Sequence, residues 1–206
     1  VSTERSDFDL LRAWRQEDAE AGNALVRRHF RSIFTFLRSK APEHVDELVQ
    51  LTFLACVEAR DRIDENRSFR AYVFGIARRQ LIYHYRRTRR QNERFDPMLE
   101  SVRDLAGSPS QMAAIRQEQE LVFEALRGLP LDLQITLELH YWEELTVNEV
   151  AEVLEVPPGT VKSRLHRARE QLRERLTQLG ASNEVLESSI EHLQGLAAAL
   201  APPRQA

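Results

Sequence analysis

A length of 206 residues allows one or two small domains, and 42% apolar with 30% charged residues is enough to build cores with polar surfaces. Seven glycines and few β-branched runs favour an all-α chain, the single cysteine, Cys56, excludes an internal disulfide, and no apolar run reaches membrane-spanning length. A net charge of −3 argues by itself against a nucleic-acid binder, but the charge is segregated. Arg67 to Arg94 holds nine arginines against one acid, Glu93, and Thr160 to Arg175 holds six basic residues against two acids, Glu170 and Glu174. Two basic stretches on an acidic background suggest two separate nucleic-acid contacts and weak binding by the free protein. The first residues, VSTERSDFDL, carry acids and no apolar signal core, so with its lone cysteine the chain is expected to be cytoplasmic.

The chain is helical in pattern from about Phe8 to Phe95. Asn23 to Lys40 reads as one helix, with Leu25, Phe30, Ile33, Phe34 and Leu37 as packing residues. Pro42 separates it from a second, about Glu43 to Arg60. On that helix Asp46, Gln50, Phe53 and Val57 share one stripe, and Val45, Leu48, Thr52, Ala55 and Ala59 share another. Either one stripe packs inward and the other is offered to a partner, or Phe53 and Val57 are core and the polar pair lies at its edge. The residues alone do not decide. Asp61 to Ser68 is polar and predicts a loop.

Phe69 to Arg90 predicts a long helix with Val73, Ile76, Ala77 and Leu81 inward and Arg78, Arg79, Arg86, Arg87, Arg89 and Arg90 on its other faces. Phe69, Tyr72, Tyr83 and Tyr85 are interleaved with them. Arginines that hold phosphates beside rings on which bases stack suit a single strand. Phe69 and Phe74 are also candidates for the core, which leaves Tyr72 and Tyr83 better placed for contact. FDPMLESVRDLAGSPS, Phe95 to about Ser110, contains Pro97, Gly107 and Pro109 and reads as a flexible linker.

Helical periodicity returns from Gln111 to Gln178, broken at Gly128-Leu129-Pro130. Within it Thr146 and Glu149 form a capping box, and Val150, Ala151 and Leu154 face a core. Pro157 and Pro158 stop this helix and start the next. The second helix places Thr160, Lys162, Ser163 and Arg164 near its N-terminal end, where a recognition helix enters the major groove, with His166, Arg167 and Arg169 placed for phosphates. The competing reading is an ordinary helical hairpin with a charged outer face. Beyond Gly180, Asn183 can cap a further helix on which Leu186, Ile190, Leu193, Ala197 and Leu200 make a narrow apolar seam. The six histidines show no metal-ligand spacing, and there is no phosphate-binding glycine loop, so neither metal, cofactor nor enzymatic activity is expected.

Leu129-Pro130, Leu137, Leu139, Tyr141 and the string GTVKSRLHRARE, Gly159 to Glu170, resemble the sigma-4 domain of bacterial sigma factors, most closely the extracytoplasmic-function type. DELVQLTF, Asp46 to Phe53, and FRAYVFGIARRQLIYHYRR resemble sigma-2 of the same family. The resemblance implies an all-α fold of two small helical domains, the second with a helix-turn-helix. Its expected boundaries are a sigma-2-like domain over 8–95, a linker over 96–110, a sigma-4-like domain over 111–178 and a C-terminal extension over 179–206.

By the same resemblance Asp46, Glu47, Gln50 and Phe53 would dock core RNA polymerase. Asp64, Asn66, Ser68, Phe69 and Tyr72 would hold flipped bases of the promoter −10 element, and Arg78, Arg79, Tyr83, Arg86 and Arg87 would bind and help to separate its strands. Thr160, Lys162, Ser163, Arg164, His166, Arg167 and Arg169 would engage the −35 duplex. The implied partners are core RNA polymerase, promoter DNA and an anti-sigma factor. The sequence departs from the family at Leu51, Arg79, Tyr83 and Glu155, where an acid, Asn, Asp and Gly are usual. The alternatives are a stand-alone helix-turn-helix regulator that binds duplex DNA without polymerase, and a protein that only sequesters a sigma-binding partner.

Overall fold

The computed structural model describes residues 5–64, 67–88, 95–103 and 117–181, and among these all regular structure is helical. Asn66, Arg89, Arg90, residues 104–110 of the expected linker and the expected tail helix lie outside the described residues.

The chain opens on α1 (Asp7–Arg15), which the sequence reading did not separate from the rest of the first domain. Its start is a capping box: Ser6 accepts from the Asp9 amide, and the Asp9 carboxylate accepts from the Ser6 amide. Leu10, Leu11 and Trp14 then bury against α2 (Ala19–Arg38), which Asp18 caps. The two helices approach closely at Gly22, where a Cβ would lie 2.5 Å from the Trp14 indole nitrogen. Asp7 ties them together, accepting from Arg28 at 2.6 Å and pairing with the His29 ring at 2.8 Å. Burial alone would raise the Asp7 carboxyl, but these two partners outweigh it and hold the group below its ordinary value.

A 3₁₀ turn (Pro42–His44) leads into α3 (Val45–Ala59), and a second (Arg60–Arg62) leaves it. Arg15 reaches over from α1 to donate to the carbonyls of Arg60 and Ile63. The long helix α4 (Phe69–Thr88) packs on α2 and α3. Val73, Ile76, Ala77 and Leu81 face inward as the periodicity predicts, and Phe74 meets Phe36 edge-on at 5.3 Å between centroids.

The second unit is built from α5 (Gln117–Arg127), α6 (Leu131–Leu137), α7 (Val147–Leu154) and α8 (Pro158–Gln178). α6 is buried along its whole length and runs into a π-helical turn, Glu138–Trp142. The expected capping box at Thr146 and Glu149 is formed, and Pro158 is the first residue of α8. Residues 97–103 fold back onto this unit: Leu131 and Asp132 donate their amides to the carbonyls of Glu100 and Pro97 at 2.8 and 2.9 Å.

Glu155, the C-cap of α7, is left-handed, with φ 57°. For an L-residue other than Gly this costs roughly 1–2 kcal/mol. Its side chain gains only an exposed ion pair with Arg79 at 2.9 Å, of a kind worth about 0–1 kcal/mol. Glu155→Gly is therefore expected to raise the melting temperature, by ~1 kcal/mol of stability at most. Thermal unfolding checks this, and a lower melting temperature counts against it.

The two units are not joined by the chain alone. Their buried apolar residues form one continuous cluster from Leu10 to Leu176, and α4 packs directly on α7.

Candidate nucleic-acid interface and docking face

Three surfaces carry the residues singled out by the sequence. The first is the outer face of α3. Val45, Leu48, Thr52 and Cys56 bury, so the opposite arc must face solvent. Asp46, Glu47 and Gln50 are exposed on it. Leu51, Leu54 and Val57 are apolar side chains left 37%, 50% and 50% exposed. Phe53 is half-buried, its ring nearly parallel to that of Phe30 at 6.3 Å. An apolar strip edged by two acids and an amide has the composition of a protein-docking face. Sequence reasoning missed Leu54, which lies between the two stripes it distinguished.

The second surface is the outer side of α4. Arg79, Tyr83, Arg86 and Arg87 recur at helical spacing on one exposed stripe, with Tyr83 63% exposed. Arg78, Arg79, Tyr83 and Arg86 line an open cleft of about 690 Å³, whose far wall includes Glu155. Tyr72 is half-buried at the other end of the helix, where burial raises its phenol above the ordinary value against the pull of Arg79 and Arg62. Asp64 is exposed, 3.6 Å from Arg67, and Ser68 accepts from the Ala71 amide at 3.3 Å as α4 begins.

Phe69 is a correction. It is 4% exposed, with its ring 5.5 Å from that of His29, and lies in the core rather than on a surface a base can reach. The first residue of α4 shares the inward face with Val73 and Ile76, so helical phase decides its direction. Cys56 is also inert, since burial pushes its thiol up to about 12.

The third surface is α8. Val161, Leu165, Ala168, Leu172 and Leu176 make its buried stripe, which turns Lys162, Ser163, His166, Arg167 and Arg169 outward. Ser163 donates to the Thr160 carbonyl at 2.9 Å, and Thr160 is half-buried. His166 lies 3.6 Å from Glu170, and Arg169 is 3.4 Å from the Tyr141 hydroxyl.

Two arginines assigned to different surfaces come together. Arg78 of α4 and Arg164 of α8 both bind Asp132, at 2.8 Å on Oδ1 and 3.2 Å on Oδ2, and neither is presented outward. Sequence reasoning missed Asp132, Glu138 and Lys40, whose buried carboxylates and ammonium take part in ion pairs between the units. The available signal was the presence of Asp132, Gln134, Thr136 and Glu138 alternating with apolar residues from Leu131 to Leu139.

Comparison with known proteins identifies the family. Residues 25–91 match the family model for Sigma-70 region 2, and residues 119–172 match that for Sigma-70, region 4, together more than half of the chain. The chain is 24% identical over 189 residues to the ECF RNA polymerase sigma-E factor of Haemophilus influenzae, covering 87% of this chain and all of that protein. It is 25% identical over 181 residues to the ECF RNA polymerase sigma-E factor of Escherichia coli K12, covering 82% of this chain and 94% of that one. Among solved structures it is similar to CnrH in complex with the cytosolic domain of CnrY, with a TM-score of 0.64, 26% identity and coverage of 84% of this chain and 97% of that one. It shares its fold with the sigma factor RpoE of Bartonella quintana, solved with the anti-sigma factor NepR, with a TM-score of 0.59, 20% identity and coverage of 75% and 96%.

Proposed function

The chain belongs to the sigma-70 family, in its extracytoplasmic-function group, and from that premise we propose that it binds core RNA polymerase and directs it to promoters through two DNA contacts. The observation that carries this is the pair of family matches, region 2 followed by region 4 on one chain. A stand-alone helix-turn-helix regulator would have no use for the region 2 unit, with its exposed apolar strip and basic helix. Sigma factors are initiation factors rather than enzymes. No described helix is long and apolar enough to cross a membrane, and a cytoplasmic site of action follows from the proposed work on polymerase.

In this reading Asp46, Glu47, Gln50 and Phe53 dock the polymerase, and the exposed Leu54 and Val57 extend that face. Arg79, Arg86 and Arg87 hold phosphates of the −10 element. Asp64, Asn66, Ser68, Tyr72 and Tyr83 supply the hydrogen bonds and stacking that flipped bases lose on leaving the duplex. On α8, Thr160, Lys162, Ser163 and Arg164 read the −35 groove, and His166, Arg167 and Arg169 grip its backbone. Because CnrH was solved with the cytosolic domain of CnrY and the Bartonella RpoE with the anti-sigma factor NepR, an anti-sigma factor is proposed as a third partner here.

The docking assignment has a direct test. Asp46→Arg with Gln50→Arg changes two exposed side chains and no core contact. It is expected to weaken binding to core RNA polymerase by about tenfold or more, equivalent to ~1.4 kcal/mol, with duplex DNA binding undiminished. Fluorescence anisotropy against core enzyme measures it, and unchanged affinity would remove this face from the interface.

A further inference from the structure

No spacing in the sequence gathers metal ligands, but the fold brings two histidines from separate elements side by side. His44 ends the 3₁₀ turn before α3, and His84 lies near the end of α4. Their ring centres are 4.4 Å apart, with the ring planes at 49°. Two imidazoles bound to one cation at about 2.0–2.1 Å hold their ring centres roughly 4.5 Å apart for a right angle at the metal, and roughly 5.2 Å apart for a tetrahedral one. The pair therefore stands at the near end of the spacing that a chelate requires. Both rings line one small cavity of about 240 Å³, which Glu43 and Thr88 also line and which has room for a cation with water.

The surroundings leave the ring nitrogens available. His44 is exposed and His84 half-buried. Glu47 Oε2 lies 3.9 Å from His44 Nδ1, too far for a hydrogen bond but within reach of a small side-chain rotation. Burial first, and then the His44 ring, lower His84 below its ordinary value, Arg87 adding to them and Glu47 opposing. A neutral imidazole keeps the lone pair that a metal takes. No three ligating side chains converge among the described residues, so protein donors other than the two rings are not needed and water completes the shell. The competing account is a contact between two rings that binds nothing.

We propose that His44 and His84 form a two-imidazole site for one divalent transition-metal ion, which staples the start of α3 to the end of α4. Imidazole suits Cu²⁺, Ni²⁺ and Zn²⁺, whereas Mg²⁺ and Ca²⁺ take oxygen ligands. Each histidine gives one ring nitrogen. Glu47 turns its exposed carboxylate onto the His44 Nδ1–H and fixes that ring with Nε2 toward the metal, the usual service of an outer carboxylate. Glu43, on the same cavity, adds negative charge that favours a cation there. The site lies within the first unit, between the α3 face that carries Glu47 and the α4 stripe that carries Arg86 and Arg87.

The test is calorimetric titration of the full, metal-stripped chain with NiCl₂, ZnCl₂, CuCl₂ and MgCl₂. One Ni²⁺ or Zn²⁺ per chain should bind with a Kd of about 1–100 µM, Cu²⁺ should bind more tightly than either, and Mg²⁺ should not bind in that range. His44→Asn and His84→Asn, made singly, should each weaken Ni²⁺ binding by about tenfold or more, because one imidazole alone is not a chelate. Saturating Ni²⁺ should raise the melting temperature of the parent but of neither variant. No Ni²⁺ binding, or equal affinity in parent and both variants, would overturn the site. Loss in only one of the two variants would also overturn it, since a single histidine would then account for the binding.

A second measurement needs no variant and so survives a failure of either one to fold. Electron paramagnetic resonance of the parent loaded with one equivalent of Cu²⁺ should show coupling to two imidazole nitrogens. Coupling to one or to none would overturn the site.

Discussion

Reversing the charge of Arg86 and Arg87 together, each to Glu, is expected to abolish promoter-dependent initiation while core polymerase binding persists. Both side chains are exposed on the outer stripe of α4, away from its buried face, so the fold should tolerate the change to within about 0.5 kcal/mol at each site. The functional cost is of another order. Two cations that would sit on phosphates become two anions facing them, beside the Tyr83 ring on which a base would stack. The loss of −10 engagement should be about 100-fold or more. The docking face on α3 uses other residues, which separates the two readouts. In a transcription assay beside a polymerase-binding assay, unchanged transcription would sink the α4 assignment, and lost polymerase binding would mean that α4 also docks.

The complementary result is expected on the other side of the same helix. Phe74 is 1% exposed and meets Phe36 edge-on at 5.3 Å. Phe74→Ala removes the whole ring from the centre of the first unit, and the surrounding helices cannot collapse fully onto the space. A loss of about 3–5 kcal/mol follows, lowering the melting temperature by roughly 10 °C. Phe74→Leu should lose clearly less, because it retains most of the apolar volume. Thermal unfolding followed by far-ultraviolet circular dichroism distinguishes the two. A Phe74→Ala protein as stable as the parent would mean that α4 is not anchored by this face. Activity should fall with stability here, whereas the Arg86 and Arg87 change should lose activity without it.

What the sequence disclosed was mostly local. The Thr146 and Glu149 box, the two prolines before α8 and the inward run of α4 depend on residues three or four apart, which periodicity reads directly. The strain at Glu155 was visible because a turn that favours Gly held an acid, and its φ is left-handed. The start of α1 is also local, since Ser6 and Asp9 spell a capping box. The assignment of Phe69 to a DNA-facing loop failed on phase, because one residue's rotation at a helix start decides between core and surface.

The contacts between the units were of a different kind. Asp132 gathers arginines 54 and 32 residues away, and Lys40 meets Glu138 at a separation of 98. No local pattern ties such residues together, since the partners are set by how whole helices pack. Burial of the Lys40–Glu138 pair drives the lysine down and the glutamate up from their ordinary values, each opposed by the other's charge. A lone buried charge there would be strongly destabilising, so the pair is kept or lost as a unit.

The most direct test of the central claim is transcription in vitro from a fragmented bacterial genome, using core RNA polymerase with and without this protein. The account predicts new start sites that appear only with the protein and share two upstream sequence elements. DNA binding by the protein alone with no new starts would contradict it and favour the stand-alone regulator.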